Sequence, residues 1–283
     1  MDKSNVFVSE KPRASELKDH IAFYYFHNSN TENEVKSYIY YPHYHNALSI
    51  YKDAEFSFTD SFSTCAKPKE KAGFAMGYTK LLHHASKAEI HAPFNKIGVV
   101  FQPLGLNSFI DGDLSDFVKS QINLEFNFFK ESMQSSLTEI FSTDKIEEKV
   151  NLLDQYFLQQ LRPFKDERLI KAVSILHSTH EKISVGELAS RVQISRKTLL
   201  RSFKKHLNCS VIEYMKLIQF RRAVEQYQKA TNKSTLTDIA HSSEYYDQSE
   251  FIHHFKKLTG FKPKSFFKNL KSLGEEGTYW TFE

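Results

Sequence analysis

The sequence is poor in the features that mark disulfide-bonded, secreted and membrane-spanning proteins. Its 283 residues include two cysteines, Cys65 and Cys209, which lie far apart and form no CxxC pair. This usage argues against a disulfide framework and fits reduced thiols in the cytoplasm. Residues 1–9 lack a basic segment followed by an apolar run, so no signal peptide is expected. No apolar run approaches the roughly 18 residues that a membrane span needs, so no membrane partner is expected.

Motifs of several enzyme classes are also absent. Phosphate-cradling glycine loops, GxSxG and HExxH do not occur in the sequence. We therefore expect no catalytic residues, no cofactor and no enzymatic activity.

Apolar residues and charge, by contrast, are abundant and informative. The sequence is 40% apolar and 14% aromatic, which is enough to build folded cores. Residues 165–271 hold 21 lysines and arginines against 10 acidic residues, whereas the rest of the chain holds 17 against 24. A basic segment joined to an acidic one indicates either a polyanion-binding module or an ordinary solvated basic surface.

The hydrophobic pattern predicts an α+β protein with two domains and a tail. Short segments rich in tyrosine, phenylalanine and isoleucine predict strands at residues 21–26, 38–41, 48–51 and 97–101. Further along, the apolar residues Ile146, Val150, Leu153, Phe157 and Leu161 follow a helical period. This helical stripe fits either the core or a dimer contact. We expect a β-rich, barrel-like domain with C-terminal helices at residues 1–164, a helical domain at 165–271 and a tail at 272–283.

One basic, apolar-spaced segment occurs twice in the helical domain. Phe203 is followed by two lysines, and so is Phe255. Upstream of the first copy, Ser184 and Glu187 form a capping box, which predicts the start of a helix. Ser195 is placed to cap a second helix after a short turn. Two short helices joined by a tight turn predict a helix-turn-helix.

The second copy repeats this arrangement. Thr235 or Thr237 is placed to cap its first helix and Asp247 its second, which ends at Gly260. Residues 211–228 between the copies predict one long helix that turns Ile212, Met215, Ile218 and Tyr227 toward a core. Two helix-turn-helix units on a rigid connector can enter two successive major-groove segments, about 34 Å apart.

At these residues the sequence resembles a known family. Residues 184–269 look like the DNA-binding domain of the AraC/XylS family of bacterial transcription regulators, whose second-motif signature is met by EYYDQSEFIHHFKKLTGFKPKSFF. The matching residues are Tyr245, Asp247, Gln248, Ser249, Phe251, Phe255, Lys256, Gly260 and Pro263. The sequence departs from the pattern at five positions: Gln193 and Glu244 stand where glycine is frequent, Ser243 replaces an apolar residue, Glu250 a histidine and Gln219 an arginine. The N-terminal segments YYPHYHNALSIY and NKIGVVFQPLGLNSFI resemble an uncharacterised domain of some AraC-family regulators.

Helix position and this resemblance together predict the residues that contact DNA. The predicted base contacts are Lys197, Leu200, Arg201, Gln248, Ser249, Glu250 and His253. Arginine and lysine commonly pair with guanine, glutamine with adenine and glutamate with cytosine, whereas leucine can contact a thymine methyl group. The predicted phosphate contacts, which add affinity rather than specificity, are Ser195, Arg196, Lys204, Lys205, Asp247, Lys256 and Lys257. For each residue the alternative is an ordinary solvated helix face.

The histidines of the β-rich half suggest a different kind of site. These are His43, His45, His83, His84 and His91, which would suit a cupin-like metal centre. The nearest carboxylates, Asp53 and Glu55, are not at a convincing spacing. Packed or surface histidines are the expectation, and no metal is predicted. Cys65 has no basic helix N-terminus around it and is expected to be an ordinary cysteine.

The sequence therefore predicts a cytoplasmic transcription regulator with an N-terminal half that senses or dimerises. The expected partner is double-stranded DNA, with a small-molecule effector and a second copy of the chain as further candidates. RNA polymerase is a candidate if the protein is an activator. Two alternatives stay open: a metal- or small-molecule-dependent β-barrel enzyme with a DNA-targeting domain, and a structural adaptor without a ligand.

Overall fold

The structure is a computed structural model that describes residues 5–80, 83–124, 126–229, 235–272 and 279–282. Of the predicted tail, residues 273–278 and 283 lie outside the described residues. Strands fill the N-terminal half and helices the C-terminal half, which confirms the predicted α+β class.

The N-terminal half is built from two facing sheets. The strands of the described residues are β1 (Asn5–Glu10), β2 (Ile21–Ser29), β3 (Val35–Tyr40), β4 (Asn46–Lys52), β5 (Ala54–Asp60), β6 (Ser63–Pro68), β7 (Phe74–Thr79), β8 (Ser86–His91), β9 (Phe94–Phe101), β10 (Ile122–Asn123), β11 (Lys271–Ser272) and β12 (Tyr279–Phe282). The first sheet has the order β1-β2-β9-β4-β7-β10 and the second β11-β12-β3-β8-β6-β5. All four predicted strands are present. Among the described residues the two sheets remain separate, so the barrel-like domain has the form of two facing sheets and not of one closed barrel.

Alternating side chains give the first sheet two different packing faces. Leu48 and Ile50 of β4 lie in the core that also contains the helical residues Leu153 and Phe157. Tyr51, one residue further on, points the other way and packs in the core between the sheets. Its ring centroid lies 5.0 Å from that of Phe56 on β5. The first sheet is therefore covered by helices on one face and by the second sheet on the other.

The helices of the described residues follow the strands along the chain. They are α1 (Leu114–Phe117), α2 (Lys130–Ser142), α3 (Ile146–Gln160), α4 (Glu167–Ser178), α5 (Val185–Arg191), α6 (Arg196–His206), α7 (Val211–Lys229), α8 (Leu236–Ser242), α9 (Gln248–Thr259) and α10 (Pro263–Asn269). In the described part of the chain, none of them combines the length and the apolar composition of a membrane-crossing helix. The predicted stripe on α3 packs into the core under the first sheet: Val150, Leu153 and Phe157 are all buried.

One long helix, α7, belongs to the cores of both helix-turn-helix units. Tyr214 and Leu217 pack with α4, α5 and α6, whereas Phe220 and Val224 pack with α8, α9 and α10. The predicted inward face was partly wrong, because Ile212 is 56% exposed and Tyr227 is also exposed. The buried face of α7 differs from the predicted one because the helix packs into a different core near each of its ends.

The chain end returns to the N-terminal half. Strand β12 pairs antiparallel with β3, with Trp280 opposite Tyr40 and Phe282 opposite Tyr38. The helical half is therefore bordered at both its beginning and its end by elements attached to the β-rich half. The sequence did not predict this pairing.

The two turns that depart from the family pattern have unusual backbone conformations. Gln193 has φ of 57° and Glu244 has φ of 66°, both in the left-handed region that favours glycine. The Glu244 carboxylate accepts a hydrogen bond from Arg222 of α7, and Gln219 Nε2 donates to the Glu244 carbonyl at 2.9 Å. Only backbone atoms of Gln193 have hydrogen-bond partners among the described residues, at Ser190 and Arg168. The two turns therefore differ in the residue's own side chain: the Glu244 carboxylate contacts Arg222, whereas the Gln193 side chain has no hydrogen-bond partner among the described residues.

We expect Gln193→Gly to stabilise the protein by about 0.5–1 kcal/mol. Left-handed strain of roughly 1–2 kcal/mol is removed, and the larger unfolded-state entropy of glycine offsets part of that gain. Glu244→Gly is the matched control, since it relieves the same strain but also removes the Arg222 contact. Its unfolding free energy should rise less, or fall. Equal gains for both variants in urea unfolding would contradict this account.

Candidate nucleic-acid interface

The first recognition helix, α6, is oriented by its cap and its buried face. Ser195 Oγ accepts a hydrogen bond from Thr198 N at 3.1 Å, which caps the helix as predicted. Leu199 and Phe203 are buried in the core of the first unit. Because these positions face inward, Lys197 and Arg201 face solvent, as does Leu200, which is 44% exposed. The predicted base-contacting residues of α6 thus share one accessible face, on which the large apolar Leu200 has no core to fill.

The second recognition helix, α9, presents the corresponding face. Phe251 and Phe255 are buried, and the four predicted base-contacting residues are exposed: Gln248, Ser249, Glu250 and His253. These four residues differ in charge from the predicted base contacts of α6, because they include one carboxylate and no lysine or arginine.

Glu250 already has a structural role in α9. Its carboxylate accepts a hydrogen bond from Tyr246 N at 2.9 Å, while its own N donates to Asp247 Oδ1 at 2.7 Å. These two bonds satisfy amide groups at the start of the helix, where no intrahelical acceptor exists. The base contact predicted for Glu250 and the phosphate contact predicted for Asp247 stay predictions. Both carboxylates are engaged in capping in this structure.

One exposed aromatic residue next to α9 was missed by the sequence analysis. Tyr246 is 80% exposed and immediately precedes the capping residue Asp247. A tyrosine at this position has both a ring and a hydroxyl available to a ligand. The signal that could have found it is the pair Tyr245-Tyr246, of which only the first is needed for the core.

The remaining predicted phosphate contacts lie along both recognition helices. Arg196, Lys204, Lys205, Lys256 and Lys257 are exposed, and so is Ser195. Lys205 also forms an ion pair with Asp113 of the N-terminal half, with Nζ and Oδ2 2.7 Å apart. A phosphate would have to compete with this carboxylate for the Lys205 ammonium group.

The N-terminal half caps the C-terminal ends of both recognition helices. At the end of α6, Asn107 Nδ2 donates to the His206 carbonyl at 2.9 Å. At the end of α9, Ala85 N donates to the Leu258 carbonyl at 2.8 Å, and the His84 ring lies 3.3 Å from the Lys257 carbonyl. Carbonyl groups in the last turn of a helix have no partner within the helix. The N-terminal half supplies such partners at both helices, so it contacts both DNA-reading units.

A cavity lies between the two sheets, at the end that meets α7. It has a volume of about 110 Å³, and its lining combines tyrosine rings with three basic residues, Lys80, Lys96 and Arg221. Lys96 is only 4% exposed, and its Nζ lies 5.0 Å from the ring centroid of Tyr51. The described lining residues include no carboxylate. Arg221 comes from α7, so the cavity wall includes the helix that joins the two recognition units.

The histidines that suggested a metal centre are dispersed. The rings of His43 and His45 stack at 4.4 Å in the cavity wall, and burial together with Arg221 lowers the pKa of His45 to about 3. His83 and His84 lie beside α9, and His91 ends β8 on the second sheet. Among the described residues these five histidines form no common site. Burial raises the pKa of the Cys65 thiol, as expected for a cysteine that is not a nucleophile.

The helical half thus has the architecture of a double helix-turn-helix DNA-binding domain. Residues 188–269 match the family model described as "Helix-turn-helix domain". This match confirms a helix-turn-helix domain in the part of the chain that resembles the AraC/XylS family. The two curated relatives described below are named as regulatory proteins.

Curated relatives match over the same part of the chain. The Msm operon regulatory protein of Streptococcus mutans is 28% identical over 99 residues, which cover 35% of each chain. The transcriptional regulatory protein HptR of Staphylococcus aureus is 24% identical over 97 residues, which cover 34% of this chain and 37% of its own. The chain therefore spans about a third of the length of the curated relatives that it matches.

Of two similar solved structures, one aligns with most of the chain and the other with about a third of it. Unsaturated fatty acid-bound ToxT from Vibrio cholerae aligns with 97% of this chain and all of its own, at 14% identity and a TM-score of 0.43. The DNA-binding domain of AdpA, a global transcriptional factor in complex with a target DNA, aligns with 36% of this chain and 92% of its own. It has 20% identity and a TM-score of 0.33.

We expect Asp113→Asn to raise the affinity of the full chain for DNA, by up to about fivefold. The ion pair between Asp113 and Lys205 is partly exposed, so it stabilises the free protein by no more than about 1 kcal/mol. A DNA phosphate that binds Lys205 must break this ion pair, and Asp113→Asn removes that cost. Asp111→Asn is the matched control: Asp111 pairs with Arg162, which belongs to neither recognition helix, and the change in net charge is the same. Equal effects of both variants in a fluorescence-anisotropy titration would show that only net charge matters.

Proposed function

We propose that the whole chain is a sequence-specific transcription regulator whose N-terminal half controls how its two recognition helices meet DNA. The proposed division is that of the sequence analysis: residues 1–164 for control, 165–271 for DNA binding and 272–283 as a tail. The observation that supports it most strongly is that the N-terminal half caps both recognition helices. Double-stranded DNA is the partner, and a cytoplasmic location follows from it.

Both helices must be placed together for a long asymmetric site to be read. Each helix alone would contact one major-groove segment, and two on one rigid connector would contact two segments about 34 Å apart. In this protein the connector α7 fixes one side of each unit, and the caps from the N-terminal half fix the other. A change in the N-terminal half would alter both caps and therefore the joint fit to DNA. Homodimerisation and contact with RNA polymerase stay predictions.

The experiment that tests the DNA-binding function compares two residues on α6. Arg201→Ala should weaken binding to the specific site by roughly 1–3 kcal/mol and relax the preference at one base position. Lys204→Ala, one turn further along the same exposed face, should weaken all sequences about equally and reduce the salt dependence. Binding of a randomised DNA library, selected and sequenced for each variant, measures both effects. If the two variants selected the same sequences, Arg201 would not be a base contact.

The cavity is the proposed effector site. Its three cations, with no carboxylate in the described lining, favour a ligand with an anionic group. The tyrosine rings favour an apolar or aromatic body, and the volume suits a ligand of about one small ring. Because Arg221 lies on α7, a bound anion would contact both the β-rich half and the connector between the recognition helices.

We expect small aromatic carboxylates such as benzoate to raise the melting temperature of the full chain, and the neutral analogue benzamide to leave it unchanged. Binding to the folded state alone stabilises it by mass action. Lys96→Met should abolish the shift, because the buried cation inside the cavity is lost. The control Lys52→Met removes an exposed lysine of the neighbouring strand and should keep the shift. A panel in which neutral and anionic members act alike would rule out the charge-based site.

A further inference from the structure

A second cluster of chemically distinctive side chains lies on the outer face of the second sheet. Cys65 is on β6, and Glu89 and His91 are on the adjacent β8. The two strands pair in parallel, with Cys65 opposite Glu89. The Cys65 sulfur, a Glu89 carboxylate oxygen and a His91 ring nitrogen all lie within 4.8 Å of one another. Within the described part of the chain, this is the one group of three such ligand atoms.

Strand alternation explains why these three side chains converge. Ala66 on β6 and Ala88 and Ile90 on β8 face the core between the sheets. Their neighbours along each strand therefore face outward, and residues two apart, such as Glu89 and His91, lie on one face. Parallel pairing then places Cys65 beside them.

The surroundings of the cluster leave its ligand atoms available. None of the three side chains has a hydrogen bond or an ion pair with another described residue. The Cys65 residue is 4% exposed, and Glu89 and His91 are half-buried, so the cluster is shielded on one side and open on the other. Ser37 lies opposite Glu89 on the neighbouring β3, and its buried Oγ has no hydrogen-bond partner among the described residues. A bound ion with a water molecule would supply partners for all four groups.

The ligand types indicate which ion fits. Thiolate and imidazole ligands suit zinc and other borderline-soft divalent ions, whereas magnesium and calcium prefer sites made of oxygen atoms alone. Zinc bonds are about 2.0–2.3 Å long, so the three atoms need to close by only about 1 Å to surround one ion. Three protein ligands leave a fourth tetrahedral position for water.

We propose that Cys65, Glu89 and His91 bind one zinc-class divalent ion, which joins β6 to β8 on the outer face of the second sheet. On binding, the Cys65 thiol loses its proton to solvent and its sulfur forms a bond to the ion, while the ion exchanges three of its water ligands for the protein atoms. The site lies on the opposite side of this sheet from the cavity. It does not depend on the proposed regulator function.

The test uses the full chain, purified without a histidine tag, stripped with a chelator and titrated with Co²⁺. A cobalt–thiolate bond produces a near-ultraviolet charge-transfer absorption, which carboxylate or imidazole ligands alone do not. We expect this band to saturate at one ion per chain, to be displaced by Zn²⁺, and to coincide with a rise in melting temperature.

Three variants test the ligands one at a time. Cys65→Ser should abolish the charge-transfer band, and His91→Ala and Glu89→Gln should weaken binding by more than about tenfold. Glu89→Gln and His91→Ala change half-buried groups, so they keep the test valid if Cys65→Ser fails to fold. Cys209→Ala, which removes the other thiol, should retain the band. Absence of the band in the folded wild-type chain would overturn the proposal, as would its persistence in Cys65→Ser or its loss in Cys209→Ala alone.

Discussion

The last-turn carbonyl groups of the two recognition helices have no partner within their own helix, and the arrangement of this protein depends on this constraint. A helix cannot provide partners for its last-turn carbonyls, so they must be found elsewhere. In this protein some of the partners come from the β-rich half. They are the Asn107 side chain at the end of α6, and Ala85 N with the His84 ring at the end of α9. The two recognition helices therefore obtain hydrogen-bond partners from the half of the chain that would sense a signal.

The connector α7 adds a second link between the same parts. Phe220 and Tyr214 place it in the cores of both units. Arg221 extends into the cavity between the sheets, and the adjacent Arg222 contacts Glu244 in the second turn and donates to the Leu176 carbonyl at 2.6 Å. The adjacent residues Arg221 and Arg222 of α7 thus contact the cavity, the first helix-turn-helix unit and the turn of the second unit. Movement of α7 would be transmitted to all three.

The positions and exposed sides of the two recognition helices could be predicted because they depend on local rules. The caps at Ser184, Ser195, Thr235 and Asp247 and the buried phenylalanines fix where each helix begins and which side it exposes. What this reasoning missed involves partners that lie outside the recognition helices. Asp113 competes for Lys205, and the amide of Tyr246 occupies Glu250. A helical wheel cannot show such competition, because it shows only the residues of one helix and not the residues that pack against it.

By itself the sequence determined the helices, their caps and the two repeated units, since each follows from the conformational preferences of residues within a few positions of one another. Only the tertiary structure decided which strands are neighbours. The parallel pairing of β6 with β8 brings Cys65 beside Glu89 and His91, and the facing of the two sheets encloses Lys96 with Arg221. Strand pairing is a choice among many non-local alternatives of similar local propensity, and burial of the whole core makes that choice.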